Sequence, residues 1–354
     1  MPSNLYSSTK SPDISFQALE NQFTQLLNSN SLDQKIHDTP GLTEDLEDAL
    51  EYALSEGLSE HHPSAILFLQ RILYRINRLK LFWYDDLANY ENEDSQFLFK
   101  IRNQIELTWQ DWESNQIEAQ SLDSPDEVIA AIQDRVAEDL NPKLSPEDQY
   151  FRNEMTLAGY RRLLAIASLD GLVEASQLSR VLGGTGNEVQ SMLTRIFSEE
   201  YGRGILAKKH STYFSAMLES LKMNARPEAH FDLAPWEVLA NINQSFFLCE
   251  RKRNFLRYIG ALLYFEVSVP AAFENYKLAA ERLGLSSESA NYWHLHIIED
   301  QRHGRWMVDD VALPLVNRFP KLAWEIVWGY DQQRFISARA SQAIIRSVRQ
   351  ADNA

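Results

Sequence analysis

The chain has 354 residues, of which 44% are hydrophobic and 24% are charged, so it has enough apolar side chain for a full core, and wholesale disorder is excluded. Its net charge of −16 argues against nucleic acid or an anionic membrane as the main partner. A single cysteine, Cys249, excludes an internal disulfide and any cysteine-based zinc or iron–sulfur site within these residues. Histidine and carboxylate side chains must therefore hold any metal.

The charge is distributed unevenly along the chain. Residues 1–150 contain 28 acidic and 10 basic residues, whereas residues 151–354 contain 22 and 24. This contrast predicts two regions. We predict a flexible tail over residues 1–14, which are polar and contain two prolines, an acidic N-terminal helical region over 15–144, and a second domain over 145–354.

Helical spacing of apolar residues recurs through the acidic region. It predicts helices over 15–29, after Thr43, from Pro63 into the aromatic run at 82–84, over 94–116 and over 127–140. In the second domain it predicts a long helix over 145–169, a short one after Glu174, and further helices over 187–200, 207–223, 233–244, 246–266, 270–284, 286–311 and 321–348. No series of alternating strands and no internal repeat occurs, so the predicted fold class is all-α.

Two other features bear on the class of protein. The glycine-rich loop at 183–186 follows no strand and precedes no Gly-Lys-Ser/Thr sequence, so it is interpreted as a connection between helices and not as a phosphate-binding loop. The apolar runs end in charges short of a membrane span, and the first residues lack the apolar core of a signal peptide. We therefore expect no membrane span and a cytoplasmic location.

The segment NYWHLHIIEDQRH, residues 291–303, is the first indication of chemistry. At about 100° per residue, His296, Asp300 and His303 project from one face of a helix, and His294 points the opposite way. Imidazole and carboxylate ligands suit iron, manganese or zinc, so the cluster predicts half of a metal site. Surface histidines that happen to lie beside acids are the alternative interpretation.

Two other places offer ligands for the missing half. Glu200 ends a predicted helix and His210 opens the next one, with glycines at 202 and 204 that allow the chain to reverse between them. Glu266 closes an otherwise apolar predicted helix, where an unpaired carboxylate would be costly and metal ligation would offset that cost. An exposed helix end or an arginine partner would account for Glu266 equally well.

Together these pieces resemble the haem-oxygenase-like di-iron oxidases, often called iron-containing redox enzymes. The resemblance rests on Glu-Tyr-Gly-x-Gly-x5-His at 200–210, on Glu266 and on His-x3-Asp-x2-His at 296–303, and it extends over roughly residues 145–320. It implies a haem-oxygenase-like helical bundle with an additional N-terminal helical region. It also implies six ligands for two Fe ions: Glu200, His210, Glu266, His296, Asp300 and His303. Glu199 stays open as a substitute for Glu200, and Glu299 as a substitute for a neighbouring ligand.

The resemblance further implies an O2-dependent oxidase or oxygenase that acts on a small organic substrate. The family's outcomes are N-oxygenation, desaturation and oxidative C–C cleavage, each through a peroxide that bridges the two ions. An electron donor and a homodimer are expected as partners. The candidates for the substrate pocket are aromatic residues near the ligands, namely Tyr264, Phe265, Trp293 and Trp306.

Two other functions compete with the oxidase. One is a haem-oxygenase-like protein that binds haem or works without metal, and in a haem protein one proximal histidine would matter rather than six convergent ligands. A non-enzymatic interaction protein would use its acidic N-terminal region as the binding surface. A nucleophilic role for Cys249 is disfavoured, because a lone cysteine at a helix is usually a small apolar residue.

Overall fold

The computed structural model describes residues 14–80, 91–184 and 186–354. Every regular element in these ranges is a helix and none is a strand, so the predicted all-α class is confirmed. The predicted tail, except for Ile14, and the aromatic run at 82–84 lie outside the described residues. So does Thr185 in the glycine-rich loop.

The contacts of the chain form two compact units, and the described part of the first unit is residues 14–80 and 91–109. The helix α1 packs against α3 and α4. Helices at 15–29, after Thr43 and from Pro63 match the predictions, whereas α2 was not predicted. The helices are α1 (Phe16–Leu27), α2 (Leu32–Asp38), α3 (Glu44–Tyr52), α4 (Pro63–Asn77) and most of α5 (Gln96–Ser114).

A charged cluster lies inside the core of the first unit. Glu20 on α1 is only 4% exposed and accepts hydrogen bonds from Arg71 at 3.0 Å and Arg75 at 2.9 Å, both on α4. Phe23 and Leu26, which follow on the same helix, are fully or nearly buried. The apolar stripe of α1 therefore continues into an ion pair that joins α1 to α4.

The second unit covers residues 110–354 among the described residues. The predicted domain boundary after residue 144 stays a prediction, and α6 packs against α12, α14 and α15 within this unit. The helices are α6 (Pro125–Leu140), α7 (Pro146–Asn153), α8 (Leu157–Gly171), α9 (Glu188–Glu200), α10 (His210–Ser220), α11 (Trp236–Cys249), α12 (Phe255–Arg282), α13 (Asn291–Trp306), α14 (Leu313–Arg318) and α15 (Trp324–Asp352). A π-helical turn, Met307–Ala312, joins α13 to α14.

One predicted interruption was placed wrongly. We predicted a break before Pro270, but α12 continues through this proline, and the chain breaks instead at residues 250–254. A proline inside a helix removes one backbone hydrogen bond, and α12 offsets that loss by packing along both α13 and α15. The predicted single helix over 145–169 is likewise two helices, because Thr156 caps the start of α8.

The contact between α12 and α15 depends on two glycines. A Cβ atom on Gly260 would lie 1.9 Å from the carbonyl oxygen of Ile326, and one on Gly329 would lie 2.0 Å from that of Arg257. Both glycines therefore permit the backbones to touch. This close approach holds α12, which carries Glu266, in a fixed position.

One stretch in the described ranges, Lys252–Arg282, is long and apolar enough to cross a membrane by length and composition. Of its most apolar window, 44% is buried inside the protein. Core helices of soluble proteins meet the same criteria, so this is a weak indication.

Candidate metal centre

The end of α9 and the start of α10 bring the first two predicted ligands together. Between them Gly202 has φ +60°, and a Cβ atom there would lie 2.5 Å from the carbonyl carbon of Lys208. Glycine therefore allows the tight reversal that places Glu200 beside His210. The Nδ1 atom of His210 lies 2.8 Å from Oε2 of Glu200, and both side chains are buried.

The face of α13 agrees with the helical spacing. His296, Asp300 and His303 are 4%, 3% and 0% exposed, whereas His294 is exposed. Nδ1 of His303 lies 3.4 Å from Oε1 of Glu200 and 3.8 Å from Oδ1 of Asp300. Three residues of one helix thus meet the ligand pair from α9 and α10.

Glu266 completes the predicted set from a different position than expected. It was predicted at the end of a helix, but it lies inside α12, one turn before Pro270. Its Oε2 atom is 3.3 Å from Nδ1 of His303, and the residue is 8% exposed. All six predicted ligands therefore converge in one buried place.

The structure adds Glu174, which was not predicted as a ligand. It lies in the turn after α8, and its Oε1 atom is 2.6 Å from Nε2 of His296. That imidazole nitrogen is also 3.1 Å from Nδ1 of His210. The only sequence signal was an isolated acid in the largely apolar stretch 172–175, which has no periodic pattern.

The ligand atoms form two overlapping groups. Each group places its atoms within 4.8 Å of one another, and Glu200 belongs to both. The first group is Glu174, Glu200, His210 and His296, and the second is Glu200, Asp300 and His303. A shared carboxylate between two clusters is the arrangement that a bridging ligand of a two-metal site requires.

The second nitrogen of each histidine has its own partner. Nε2 of His210 lies 3.1 Å from Glu299, Nε2 of His303 lies 3.0 Å from Glu199, and Nδ1 of His296 lies 2.8 Å from the carbonyl oxygen of Tyr292. Metal-binding histidines generally have such a partner, which fixes the tautomer and the orientation of the ring. This geometry favours Glu200 and Asp300 as inner carboxylates, with Glu199 and Glu299 behind the rings.

Glu199 is also held from outside the cluster. It accepts hydrogen bonds from Arg203 at 2.7 Å and from Arg302 at 2.5 Å. Glu199, Glu299 and His303 form a further group that could hold an ion. Because that group uses the outer nitrogen of His303 and an arginine-paired carboxylate, it fits a metal less well than the two groups that share Glu200.

The histidines are basic in this setting. Burial by itself lowers the pKa of His210, but the Glu200 carboxylate outweighs this effect and the pKa is raised to about 11. For His303, burial is likewise outweighed by Glu200 and Glu266, and the pKa is raised to about 12. Burial opposes the charge of Glu174 at His296, where the pKa is raised to about 9. Burial raises the pKa of both Glu266 and Asp300.

Several buried polar atoms of the cluster have no hydrogen-bond partner among the described residues. They are Oε2 of Glu174, Oδ1 of Asp300 and Nδ1 of His303. Unpaired buried polar atoms are costly, and three of them that converge on one place are what the lining of a cation site presents. The donor set of three imidazoles and four carboxylates therefore fits a pair of divalent iron ions.

A cavity of about 320 Å³ adjoins the cluster, and Glu174, Glu200, Glu266, His296 and Asp300 form part of its wall. Most of the remaining wall is apolar or aromatic. Two of the four predicted pocket residues, Phe265 and Trp293, line it. Tyr264 packs instead against Tyr330, and Trp306 stacks on His303.

The weaker candidates lie away from this cavity. Cys249 is buried at the end of α11 and lines a separate cavity of about 1040 Å³. Its thiol lies near the carbonyl oxygen of Phe246, an arrangement typical of a small core residue. Arg257, near the start of α12, pairs with Glu325 at 2.6 Å.

The comparisons with known proteins agree with this geometry. The model of the family described as "Iron-containing redox enzyme" matches residues 161–334, a range that includes Glu174 and all six predicted ligands. This region of the chain is similar to that family. The chain is also 29% identical over 168 residues to a nitrosourea synthase from Streptomyces achromogenes subsp. streptozoticus. That match covers 47% of this chain and 36% of the relative, so the chain spans about a third of the relative's length.

The family match supports a general class of chemistry. An iron-containing redox family supports an oxidoreductase with a haem-oxygenase-like all-α fold. The cluster of histidines and carboxylates is where this region could hold a metal.

Proposed function

We propose that the chain is an O2-dependent non-haem di-iron oxidase or oxygenase that acts on a small organic substrate. The observation that carries this proposal is the pair of ligand groups that share Glu200. A single ion would leave one of the two groups unused, whereas two ions account for every ligand. The proposal includes Glu174 with the six ligands predicted from the sequence.

The ligands divide between two positions. Glu174, His210 and His296 would hold one iron, and Asp300, Glu266 and His303 the other, with Glu200 between them. When bound, two Fe(II) ions supply two electrons to dioxygen, and an external reductant must return those electrons before the next turnover.

The protein's own part is to bind, orient and exclude water. Glu199, Glu299 and the carbonyl oxygen of Tyr292 hold the three imidazole rings in the tautomers that the metals require. The aromatic wall of the adjoining cavity places an organic substrate beside the ligands and keeps bulk water away. Among the reactions open to the family we favour N-oxygenation, because the similar protein is named a nitrosourea synthase.

Anaerobic titration with Fe(II), followed by exposure to oxygen, tests the proposal. We expect about two irons per chain and oxygen uptake after loading. His296→Ala should lose iron, while His294→Ala, on the exposed side of the same helix, should retain it. Iron retained in His296→Ala and lost in His294→Ala would mean that the other face of α13, the one that carries His294, binds the metal. An absorption band near about 400 nm would instead support a haem protein.

A further inference from the structure

The wall of the cavity carries a carboxylate that the metal ligands do not use. Asp170, at the end of α8, lines the cavity, and its side chain has no hydrogen bond or ion pair with any described residue. Burial raises the pKa of its carboxyl, yet more than a third of the residue's surface is accessible. A position on the cavity wall accounts for both observations.

Among the described residues, the cavity wall offers Asp170 no positive charge that is not already paired, because His296 lies 2.6 Å from Glu174. The ionisable residues of the cavity wall, apart from tyrosines, are five carboxylates and His296, and no lysine or arginine of the described chain lines it. Burial, and secondarily the charge of Glu174, raise the pKa of Asp170 to about 6. At neutral pH this carboxylate is therefore mostly ionised, and the one imidazole of the wall, His296, is paired with Glu174 instead.

The charges of the proposed iron centre also leave Asp170 without a counter-charge. Two ferrous ions bring four positive charges, and the carboxylates of Glu174, Glu200, Glu266 and Asp300 bring four negative ones, while the three imidazoles bind as neutral ligands. The loaded centre is thus neutral. Asp170 remains as one uncompensated negative charge on the wall.

The rest of the wall also suits a cation. Phe273, Tyr276, Tyr292 and Trp293 line the cavity, and aromatic faces attract organic cations once these are removed from water. A carboxylate combined with aromatic rings is the usual chemistry of ammonium recognition. With about 320 Å³, the cavity is at the lower end of the range for small-molecule sites, about 300–1,000 Å³.

We propose that Asp170 binds the ammonium group of the substrate, and that the substrate class is small organic monocations with an apolar body. Asp170 precedes Glu174 by four residues, both line the cavity, and after burial the charges of both raise the pKa of Tyr292. An ammonium group at Asp170 therefore lies next to the ligands of the proposed iron site. The inference rests on the proposed function for the reaction that follows, but not for the binding itself.

The test compares n-hexylammonium with 1-hexanol, which has the same number of heavy atoms and no charge. Binding is measured by calorimetry on the full chain, both metal-free and loaded anaerobically with Fe(II). Wild type should bind n-hexylammonium at least about tenfold more tightly than 1-hexanol, because a charge-assisted hydrogen bond replaces a neutral one. Equal or reversed affinities would overturn the inference, whatever the behaviour of any variant.

Asp170→Asn isolates the carboxylate. This variant should lose about tenfold to a hundredfold in affinity for n-hexylammonium and keep its affinity for 1-hexanol, which also shows that the cavity is intact. Asp310→Asn, which removes the same charge from an exposed position away from the cavity, should bind both probes like wild type. Unchanged n-hexylammonium binding in Asp170→Asn would mean that the amine binds elsewhere, at the metal ligands for example.

Iron content, measured on the same samples, separates the two ideas. If n-hexylammonium shows the expected preference but the protein takes up no iron, the inference stands and the oxidase does not. If the protein takes up two irons and consumes oxygen but both probes bind alike, the oxidase stands and the ammonium site does not.

Discussion

Both units bury glutamates, but the partners of these carboxylates differ. In the first unit Glu20 lies between Arg71 and Arg75. In the second unit Glu200 and Glu266 have imidazoles as their described ion-pair partners. A guanidinium keeps its proton throughout the accessible pH range, whereas an imidazole can release it and become a metal ligand. The first arrangement is a structural ion pair, and the second is a site whose charge can change.

The same contrast recurs within the candidate centre. Glu199 is held by two arginines and contacts the outer nitrogen of His303, while Glu200, the next residue, contacts the inner nitrogens of two histidines. Adjacent glutamates of one helix end thus have different tasks. One fixes a ring, and the other faces the space between the rings.

The largest effect should come from the carboxylate that the two ligand groups share. We expect Glu200→Ala to retain almost no iron, and Glu174→Ala, which affects one group only, to retain about one iron per chain. Iron per chain is measured after anaerobic loading and gel filtration. Glu188→Ala, at an exposed position on the same helix as Glu200, is the matched control and should keep both irons. Equal losses in Glu174→Ala and Glu200→Ala would contradict a bridging role.

Loss of the ion pair in the first unit should lower the stability of the protein and leave its iron content unchanged. Glu20→Ala removes the carboxylate shared by Arg71 and Arg75 and should lower the free energy of unfolding by about 3–5 kcal/mol. The exposed pair between Glu47 and Lys100 provides the control, and Glu47→Ala should cost less than about 1 kcal/mol. Urea unfolding measures both variants. A loss of iron in Glu20→Ala with unchanged stability would remove the distinction between the two kinds of buried glutamate.

Removal of the Asp300 charge in the proposed site should have the opposite effect and stabilise the metal-free protein. Burial raises the pKa of Asp300 well above its usual value of 3.8, so at pH 7 its carboxylate is costlier in the folded metal-free protein than in the unfolded chain. Asp300→Asn avoids that cost and should stabilise the metal-free protein by about 1 kcal/mol or more. The gain should shrink as the pH falls toward 3.8, where the unfolded chain is protonated as well.

Fe(II) should stabilise Asp300→Asn much less than it stabilises wild type. Wild type gains about 2.7 kcal/mol when free Fe(II) is a hundredfold above its dissociation constant, whereas Asp300→Asn should gain far less. Thermal unfolding with and without Fe(II) measures this difference. A metal-free Asp300→Asn protein that is several kcal/mol less stable than wild type would show that Asp300 serves the fold.

Much of the centre could be predicted because its ligands follow local rules. Helical spacing alone placed His296, Asp300 and His303 on one buried face and His294 on the other side. The turn at Gly202 is also local, since a reversal over a few residues depends on the backbone freedom of glycine. Such features depend on neighbours in the sequence, and the sequence contains those neighbours.

What could not be predicted depends on contacts between distant residues. Glu174 meets His296 across 122 positions, and a turn has no periodicity that would reveal which way a side chain points. The continuation of α12 through Pro270 likewise depends on its packing against α13 and α15. Local preference for a break was weaker than that packing, which a single sequence does not show.

The smallest expected effect is the release of protons when iron binds. The pKa values of His210, His296 and His303 are raised to about 11, 9 and 12, so all three imidazoles are protonated in the metal-free protein at pH 7.5. A histidine binds metal only as the neutral imidazole, so loading with Fe(II) should release about three protons per chain from these residues, together with any held by Glu266 and Asp300.

Because the released protons compete with iron, affinity should rise steadily between pH 6 and pH 8, and a pH indicator in weakly buffered solution measures the release directly. His294→Ala should release the same number of protons as wild type, since its ring lies outside the cluster. Binding of two irons without proton release would mean that the imidazoles are already neutral. The charge of the cluster would then be fixed, as is that of the Glu20 ion pair, and would not change when the metal binds.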